Sequence, residues 1–173
     1  FQASYGRQSH KIGNKYKFWG GLAAETWGGG QGLVENEHKA CAREGIMINA
    51  DGERFVDEGA DFRNYTYAKY GSVILRQPGM FAWQIYDQKI IPSLRDEYRI
   101  KRVTKVRANT LEELVSKLEG VNAENALREI REYNKAVQTQ IPYNSAIKDG
   151  RRTVGLKIDK TNWANTIEEA PFE

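Results

Sequence analysis

The chain has 173 residues, of which 40% are hydrophobic and 11% aromatic, and its formal net charge is +3. This length and composition allow one folded domain with a sizeable core and exclude an intrinsically disordered chain. Charges of both signs are mixed along the sequence, which is not typical of a nucleic-acid-binding protein, and no run reaches the roughly 18 apolar residues that a membrane-spanning helix needs.

Residues 1–44 give the weakest structural signal. Their glycines interrupt any helical pattern, so we predict loops with a short helix near 33–42. A dinucleotide-binding loop is not expected here, because G-x-G-x-x-G counted from Gly28 would need a glycine where Leu33 stands. The start has neither an initiator methionine nor a signal peptide, and we expect a cytoplasmic piece of a longer protein.

A β-hairpin is predicted next. Residues 46–48 form a short apolar run, Asp51-Gly52 supplies the turn, and residues 54–56 form a second run. Asp-Gly between two β-prone runs is a strong hairpin signal, because glycine adopts positive φ at little cost.

Helices and strands follow the hairpin without the regular β-α-β alternation of a parallel sheet. Residues 67–77 are predicted to be helical and to stop at Pro78-Gly79, and residues 81–86 form an apolar strand. We then expect a short helix over 88–98 and a strand over 103–107.

Two amphipathic helices complete the predicted core. Thr110-Leu111-Glu112-Glu113 is a capping box, and a second helix begins after Asn122 and continues to about 140, before Pro142. Residues 143–173 are expected to be extended or irregular, with Trp163 as an anchor. Together these elements predict an α+β fold of mixed or antiparallel strands with packed helices.

Most well-known catalytic and metal-binding motifs are missing. The chain contains no P-loop and no G-x-S-x-G elbow. His10 and His38 have no partner at metal-ligand spacing, and a single cysteine, Cys41, can form neither an internal disulfide nor a zinc site. We therefore predict no metal centre.

The run from Gly45 to Glu58, GIMINADGERFVDE, resembles the "G-[apolar]-x-V-N-x-x-G-x-R-F-x-x-E" segment of the fumarate reductase and succinate dehydrogenase flavoproteins. Its continuation, with Tyr67-Ala68 and Gln77-Pro78-Gly79, looks most like the tricarballylate dehydrogenase branch. Further landmarks in family order are Phe81 to Asp87, Thr110 to Leu114, Tyr133-Asn134 and Ala170-Pro171-Phe172.

This resemblance implies a cap domain, which in such enzymes is inserted into an FAD-binding dinucleotide fold and closes over the substrate. Residues 1–173 would be a single-domain fragment, with a loop-rich region at 1–44, the α+β core of the cap at 45–142 and an extended segment at 143–173 that returns toward the FAD-binding domain. FAD and a small carboxylate such as fumarate, succinate or tricarballylate are implied for the full-length protein, with an unidentified electron-transfer partner. The isolated chain is expected to bind no flavin and to be inactive.

Arg63 is the best match to the family arginine that handles the proton, although it lies one residue further from Glu58 than that pattern expects. A guanidinium is a weak acid, so it can transfer protons only with carboxylates nearby. Glu58 and Asp61 are therefore predicted as relay or substrate-binding residues, and Tyr67 as a lining residue. The alternatives are a surface ion network for Arg63, a helix-capping role for Glu58 and a packing role for Tyr67.

A different function also remains open at this point. The same scaffold could serve as a non-catalytic α+β binding module that docks a partner protein through the aromatic residues of positions 1–44.

Overall fold

The computed structural model describes residues 42–95, 98 and 104–173 of the chain. The elements in chain order are β1 (Ile46–Ile48), α1 (Arg63–Ile74), β2 (Trp83–Ile85), α2 (Leu111–Lys117) and α3 (Ala123–Ala136), with 3-10 turns at Ala42–Glu44, Pro78–Met80 and Ile91–Ser93. Helices packed on a small antiparallel sheet confirm the predicted α+β class.

The sheet joins two strands that are distant in sequence. β1 pairs antiparallel with β2, and Ile46 lies opposite Ile85. The predicted hairpin turn is present, since Gly52 has φ 79° and its amide donates to Asn49 O. Its second strand over 54–56 is wrong, because only Arg54 bridges to Ile48 before the chain bends away.

α1 begins earlier than the predicted helix over 67–77. It extends from Arg63 to Ile74 and brings Tyr70 and Ile74 into a small core with Met47 on β1. The two predicted breakers then act as expected: Pro78 opens a 3-10 turn in which Gly79 has φ 71°.

The stretch between β2 and α2 contains less regular structure than predicted. Instead of a helix over 88–98, its described residues form turns and a 3-10 turn at Ile91–Ser93, because Asp87 Oδ1 accepts the Lys89 amide and Pro92 cannot donate within a helix. The predicted strand over 103–107 is also wrong for residues 104–107, which pair with no strand.

α2 and α3 form the main core with one face of the sheet. Both predicted caps are confirmed: Thr110 Oγ1 accepts the Glu113 amide at 3.1 Å, and Asn122 Oδ1 accepts the Asn125 amide at 3.1 Å. α3 ends at Ala136, four residues earlier than predicted, because Val137 leaves the helix to bridge with Thr153. The buried residues of this core include Ile46, Ile48, Ile85, Leu114, Ile130, Tyr133 and Phe172.

The last part of the chain returns across the sheet without forming a helix. Ala108 bridges to Phe172, and Tyr86 exchanges two backbone hydrogen bonds with Glu173. Gly45 packs against the same Tyr86, where a Cβ would lie 2.6 Å from the ring. Residues 45 and 173 therefore both contact Tyr86, Gly45 at its ring and Glu173 at its backbone.

The predictions for residues 1–41 lie outside the described part of the chain. Among the helices at 63–74, 111–117 and 123–136, none is long and apolar enough to cross a membrane.

Candidate functional site

Arg63, the predicted catalytic residue, is the first residue of α1 and is half-buried. The preceding residue, Phe62, makes no side-chain cap, and the first turn contains no acidic residue. The N-terminus of a helix carries a partial positive charge. The cationic Arg63 side chain increases the positive potential at this end, and no acidic side chain in the first turn offsets it. This end of α1 therefore favours an anionic group.

Asp61 lies in the loop just before α1 and is also half-buried. Its Oδ2 is 2.9 Å from Lys148 Nζ, and its Oδ1 accepts the Phe62 amide at 2.8 Å. The hydrogen bond from Lys148 lowers the pKa of Asp61, so the carboxylate is ionised at neutral pH. Asp61 thus links the loop to the segment around Lys148.

Glu58 is fully buried, and its carboxylate is occupied by other groups. Oε2 is 2.6 Å from Arg54 NH2, while Oε1 accepts from Arg54 Nε at 3.2 Å and from the Met47 amide at 2.8 Å. The helix-capping alternative is therefore wrong, because the carboxylate binds a strand amide and an arginine. Its possible role as a relay stays a prediction.

The tyrosines of α1 differ in exposure. Tyr70 is buried and donates its hydroxyl to Asp57 O at 2.5 Å, and burial raises its pKa. Tyr65 is 76% exposed beside the start of the helix. Tyr67 lies within α1, but its side chain is outside the described part of the structure.

A buried group of charged and aromatic side chains, which the sequence did not predict, surrounds Glu58. Its other members are Arg54, Tyr133 and Lys160. Arg54 stacks 5.2 Å from the Tyr133 ring and donates to Ile158 O at 2.8 Å. The attraction of Glu58 raises the pKa of Arg54 even though burial opposes it. Lys160 is fully buried, and its Nζ donates to Gly45 O at 2.7 Å and lies 5.9 Å from the Tyr133 ring.

No sequence signal could have identified Lys160, because lysine is almost never fully buried and this one stands in an irregular stretch. Burial lowers the pKa of Lys160 to about 8. The ammonium ion is retained at neutral pH beside the Glu58–Arg54 pair.

Residues 57–62, which we call the site loop, are tied to residues 160–163, which we call the return segment. Thr161 donates to Asp57 through its amide at 3.0 Å and through its hydroxyl at 2.7 Å. Asn162 Nδ2 donates to Gly59 O at 2.9 Å, and the Thr161 hydroxyl, whose one proton is directed mainly to Asp57, also lies 3.0 Å from Gly59 O. The path of the chain into Arg63 is therefore set by residues about a hundred positions further on.

An aromatic contact extends this connection. The Phe62 and Trp163 rings lie 5.3 Å apart, and the Arg43 guanidinium lies 4.4 Å from the Trp163 ring. Trp163 is fully buried, and its Nε1 donates to Asn144 O and Ile147 O. The predicted anchor role of Trp163 is in agreement with these contacts.

In the described ranges, no three His, Cys, Asp or Glu side chains are arranged to hold a metal ion. A depression open to solvent includes Trp83, Tyr86, Tyr98 and Glu173 in its lining. Its lining includes none of the predicted site residues, so it does not bear on the chemistry of Arg63.

Chemically, the start of α1 can bind and orient a carboxylate. A guanidinium forms two parallel hydrogen bonds with a carboxylate, and the dipole of α1 adds to its charge. A fixed site loop limits the positions that Arg63 can adopt.

No family model matches the chain. One curated relative, "Probable fumarate reductase Ifc3" of Shewanella frigidimarina (strain NCIMB 400), is 27% identical over 89 residues, which are 51% of this chain and 14% of that protein. The chain therefore corresponds to a small part of this relative's length.

Two solved structures were also found to be similar. The open conformation of a flavocytochrome c3 fumarate reductase has a TM-score of 0.53 and 22% identity, covering 74% of this chain and 20% of that chain. A 3-ketosteroid Δ1-dehydrogenase from Sterolibacterium denitrificans has a TM-score of 0.46 and 20% identity, covering 76% and 27%. The first resemblance shows the fold. With the curated relative, it confirms the predicted resemblance to a fragment of the fumarate reductase flavoproteins.

Proposed function

We propose that this fumarate-reductase-like chain is the cap of an FAD-dependent oxidoreductase that interconverts C–C and C=C bonds in a small carboxylic acid, with Arg63 binding the substrate and handling the proton. The observation that carries the proposal is a half-buried arginine at the uncapped start of α1. The resemblance to the fumarate reductases supplies the reaction class.

The flavin itself does not fit the described residues. Their sheet has two antiparallel strands, whereas a dinucleotide is bound by parallel strands with a glycine-rich turn. We therefore assign FAD, which would supply the hydride chemistry, to a separate FAD-binding domain of the full-length protein. The electron-transfer partner remains unassigned.

In this proposal Arg63 binds a substrate carboxylate through two hydrogen bonds, and the helix dipole strengthens the interaction. Proton transfer by a guanidinium needs a dry site and a coupled carboxylate. Asp61 and Glu58 are near in sequence, but each is already bound to another cation, Lys148 or Arg54. These contacts support substrate binding by Arg63 more directly than a proton relay through the two acids.

Substrate specificity of the tricarballylate type belongs to the same proposal. It is supported by the sequence between Asp57 and Gly79, which resembles that branch. Tyr67 and the exposed Tyr65 would contact the substrate or the FAD-binding domain, since both lie in the first turns of α1.

The test uses the full-length protein, purified with its flavin, carrying Arg63→Ala or Arg63→Lys. Arg128→Ala is a matched control. Arg128 lies on α3, and the hydrogen bond that the structure gives its guanidinium is to Asn125. Both Arg63 variants should retain flavin absorbance and lose at least about 100-fold in turnover with fumarate, succinate or tricarballylate. Full activity of Arg63→Ala would remove Arg63 from the mechanism, and a full-length protein without flavin would refute the proposal.

A non-catalytic binding module is the second candidate. The exposed apolar side chains Tyr65 and Ile147 are the groups that such a module would offer to a partner. Coding sequence that lacks a dinucleotide fold on both sides of this segment would support the module and exclude the oxidoreductase.

A further inference from the structure

The site loop is held in part by β1 and α1, because Glu58 accepts the Met47 amide and the Tyr70 hydroxyl donates to Asp57 O. Within the loop, the Ala60 amide donates to Asp57 O at 3.3 Å, and the Gly59 amide donates to Asp57 Oδ1 at 2.9 Å. These bonds shape the turn, and the contacts of Glu58 and Asp57 hold its first two residues. The turn around Gly59, which leads to Arg63, needs further contacts to be fixed.

The return segment supplies a second set of contacts, which act on Asp57 and Gly59. The Asp57 carboxylate accepts the Thr161 amide and hydroxyl, and Gly59 O accepts Asn162 Nδ2 and shares the hydroxyl proton of Thr161 over a longer distance. Asn162 Oδ1 in turn accepts the Gly150 amide at 2.9 Å, which holds the amide in this orientation.

The two backbones also touch directly. A Cβ on Gly59 would lie 2.1 Å from Asn162 O and 2.7 Å from Asn162 N, so only glycine allows the approach. Backbone atoms cannot move aside as the end of a side chain can. The loop therefore has one position against the return segment, and its last residue, Phe62, leads into Arg63.

We propose that Thr161 and Asn162 are positioning residues for Arg63: by fixing the site loop, they set the position from which the guanidinium meets the substrate carboxylate. This inference rests on the proposed function of Arg63. Neither residue needs to touch the substrate, and neither belongs to the family motifs that identify the site.

The expected loss of rate on removing Thr161 or Asn162 contacts depends on how precisely Arg63 must be oriented toward the substrate. A displacement of about 1 Å in a positioned group can cost on the order of 100-fold in rate. Removing one or two hydrogen bonds from the loop should widen the range of Arg63 positions without removing its charge.

The experiment compares Thr161→Val and Thr161→Ser in the flavin-containing full-length protein. Valine removes the hydroxyl bonds to Asp57 and Gly59 at nearly constant size, and serine keeps them. We expect kcat/KM to fall about 10- to 100-fold in Thr161→Val and to recover to within about threefold in Thr161→Ser. Thr139→Val is the control, because Thr139 is exposed and its side chain makes no contact with the site loop among those the structure gives.

Asn162→Asp is a second variant. It removes the donor to Gly59 O and keeps an oxygen for the Gly150 amide. The dissociation constant of an unreactive dicarboxylate, malonate, measured by calorimetry, gives a readout that does not depend on turnover. We expect it to rise several-fold in Asn162→Asp and in Thr161→Val.

A double mutant separates the two proposals. If Thr161 acts through Arg63, Thr161→Val should have no further effect on the residual rate of Arg63→Ala. If the losses in rate of the two single variants multiply in the double mutant, the positioning role is overturned while the role of Arg63 stands. Wild-type activity in Thr161→Val, with Arg63→Ala inactive, would have the same meaning. Wild-type activity in Arg63→Ala would refute the role of Arg63 itself and the positioning role with it.

Discussion

Lys160 is a lysine whose charged ammonium group lies in the interior of the protein. Its ammonium ion is fully buried, it donates to Gly45 O, and it is attracted by Glu58. Desolvation is the larger effect, and it lowers the pKa of Lys160 from 10.5 to about 8. The protonated form is therefore less favourable in the folded protein than in the unfolded one.

This pKa predicts how stability depends on pH. Between pH 8 and 10 the folded protein loses the Lys160 proton while the unfolded chain still holds it, so stability should rise with pH. The slope is at most about 1.4 kcal/mol per pH unit. The raised pKa values of Tyr70 and Tyr133 act in the opposite sense only above about pH 10.

Urea unfolding of the wild type and Lys160→Met at several pH values measures this effect. The difference in unfolding free energy between the two proteins should change by about 2 kcal/mol from pH 8 to 10. The subtraction removes groups common to both proteins. A constant difference would show that Lys160 does not titrate in this range.

Gly59 gives a second prediction at this scale. Gly59→Ala should destabilise the protein by about 3 kcal/mol, because its Cβ would overlap the Asn162 backbone. Gly155→Ala is the control: its Cβ meets open space, and only its φ of 94° opposes the change, at about 1 kcal/mol. Equal losses in the two variants would contradict the close approach at Gly59.

The helices differ in how clearly the sequence defines their starts. α2 and α3 each begin with a side-chain oxygen that accepts a backbone amide, and both starts were predicted. α1 begins without a side-chain cap, and its first residue, Arg63, gives no start signal. Contacts of the site loop determine where α1 starts, and such contacts are not visible in a local pattern.

Removing the capping side chain of α3 should lower the free energy of unfolding, and a substitution that keeps the acceptor should restore it. Asn122→Ala removes the acceptor for the Asn125 amide and should lower the free energy of unfolding by about 1 kcal/mol. Asn122→Asp keeps an acceptor and should remain within a few tenths of a kcal/mol of the wild type. A loss in Asn122→Asp as large as that in Asn122→Ala would mean that the side chain acts through packing.

At the scale of the whole molecule, the Arg54–Glu58 pair connects distant parts of the chain. Glu58 receives the Met47 amide on β1, while Arg54 reaches Ile158 O and stacks on Tyr133 of α3. A buried ion pair contributes little net stability, but removing one partner leaves a charge without compensation.

Removing Glu58 should therefore cost more than removing Arg54. Glu58→Gln leaves Arg54 and Lys160 buried without their shared acid, and we expect a loss of about 3–5 kcal/mol or more. In Arg54→Met the Glu58 carboxylate retains the attraction of Lys160, so the loss should be smaller. The reverse order in urea unfolding would show that Lys160 and Glu58 do not interact.

Much of the fold could be predicted where the signal is local. The turn at Gly52, the caps at Thr110 and Asn122 and the stop at Pro78 each depend on residues within one turn of each other. The predicted hairpin was only half right. The turn is present, but the strand that pairs with β1 along its length is β2, more than thirty residues further along the chain.

The site was predicted less completely than the fold. The resemblance predicts Arg63 and Glu58 as site residues, and it could not show that Glu58 is bound to Arg54. The contacts of Thr161 and Lys160 join residues more than a hundred positions apart, and no periodicity or spacing records them. Such contacts follow from the packing of the whole chain.

The meeting of residues 45 and 173 at Tyr86 has a practical consequence for engineering. Because Gly45 and Glu173 flank Tyr86, the two ends of this stretch lie about two strand spacings, roughly 10 Å, apart. Such a stretch can be exchanged between proteins as a cassette, because only one small junction region has to be matched. It also suits circular permutation: a short linker could join the two ends, and new termini could open at the exposed turn of Gly155, where the backbone has open space around it.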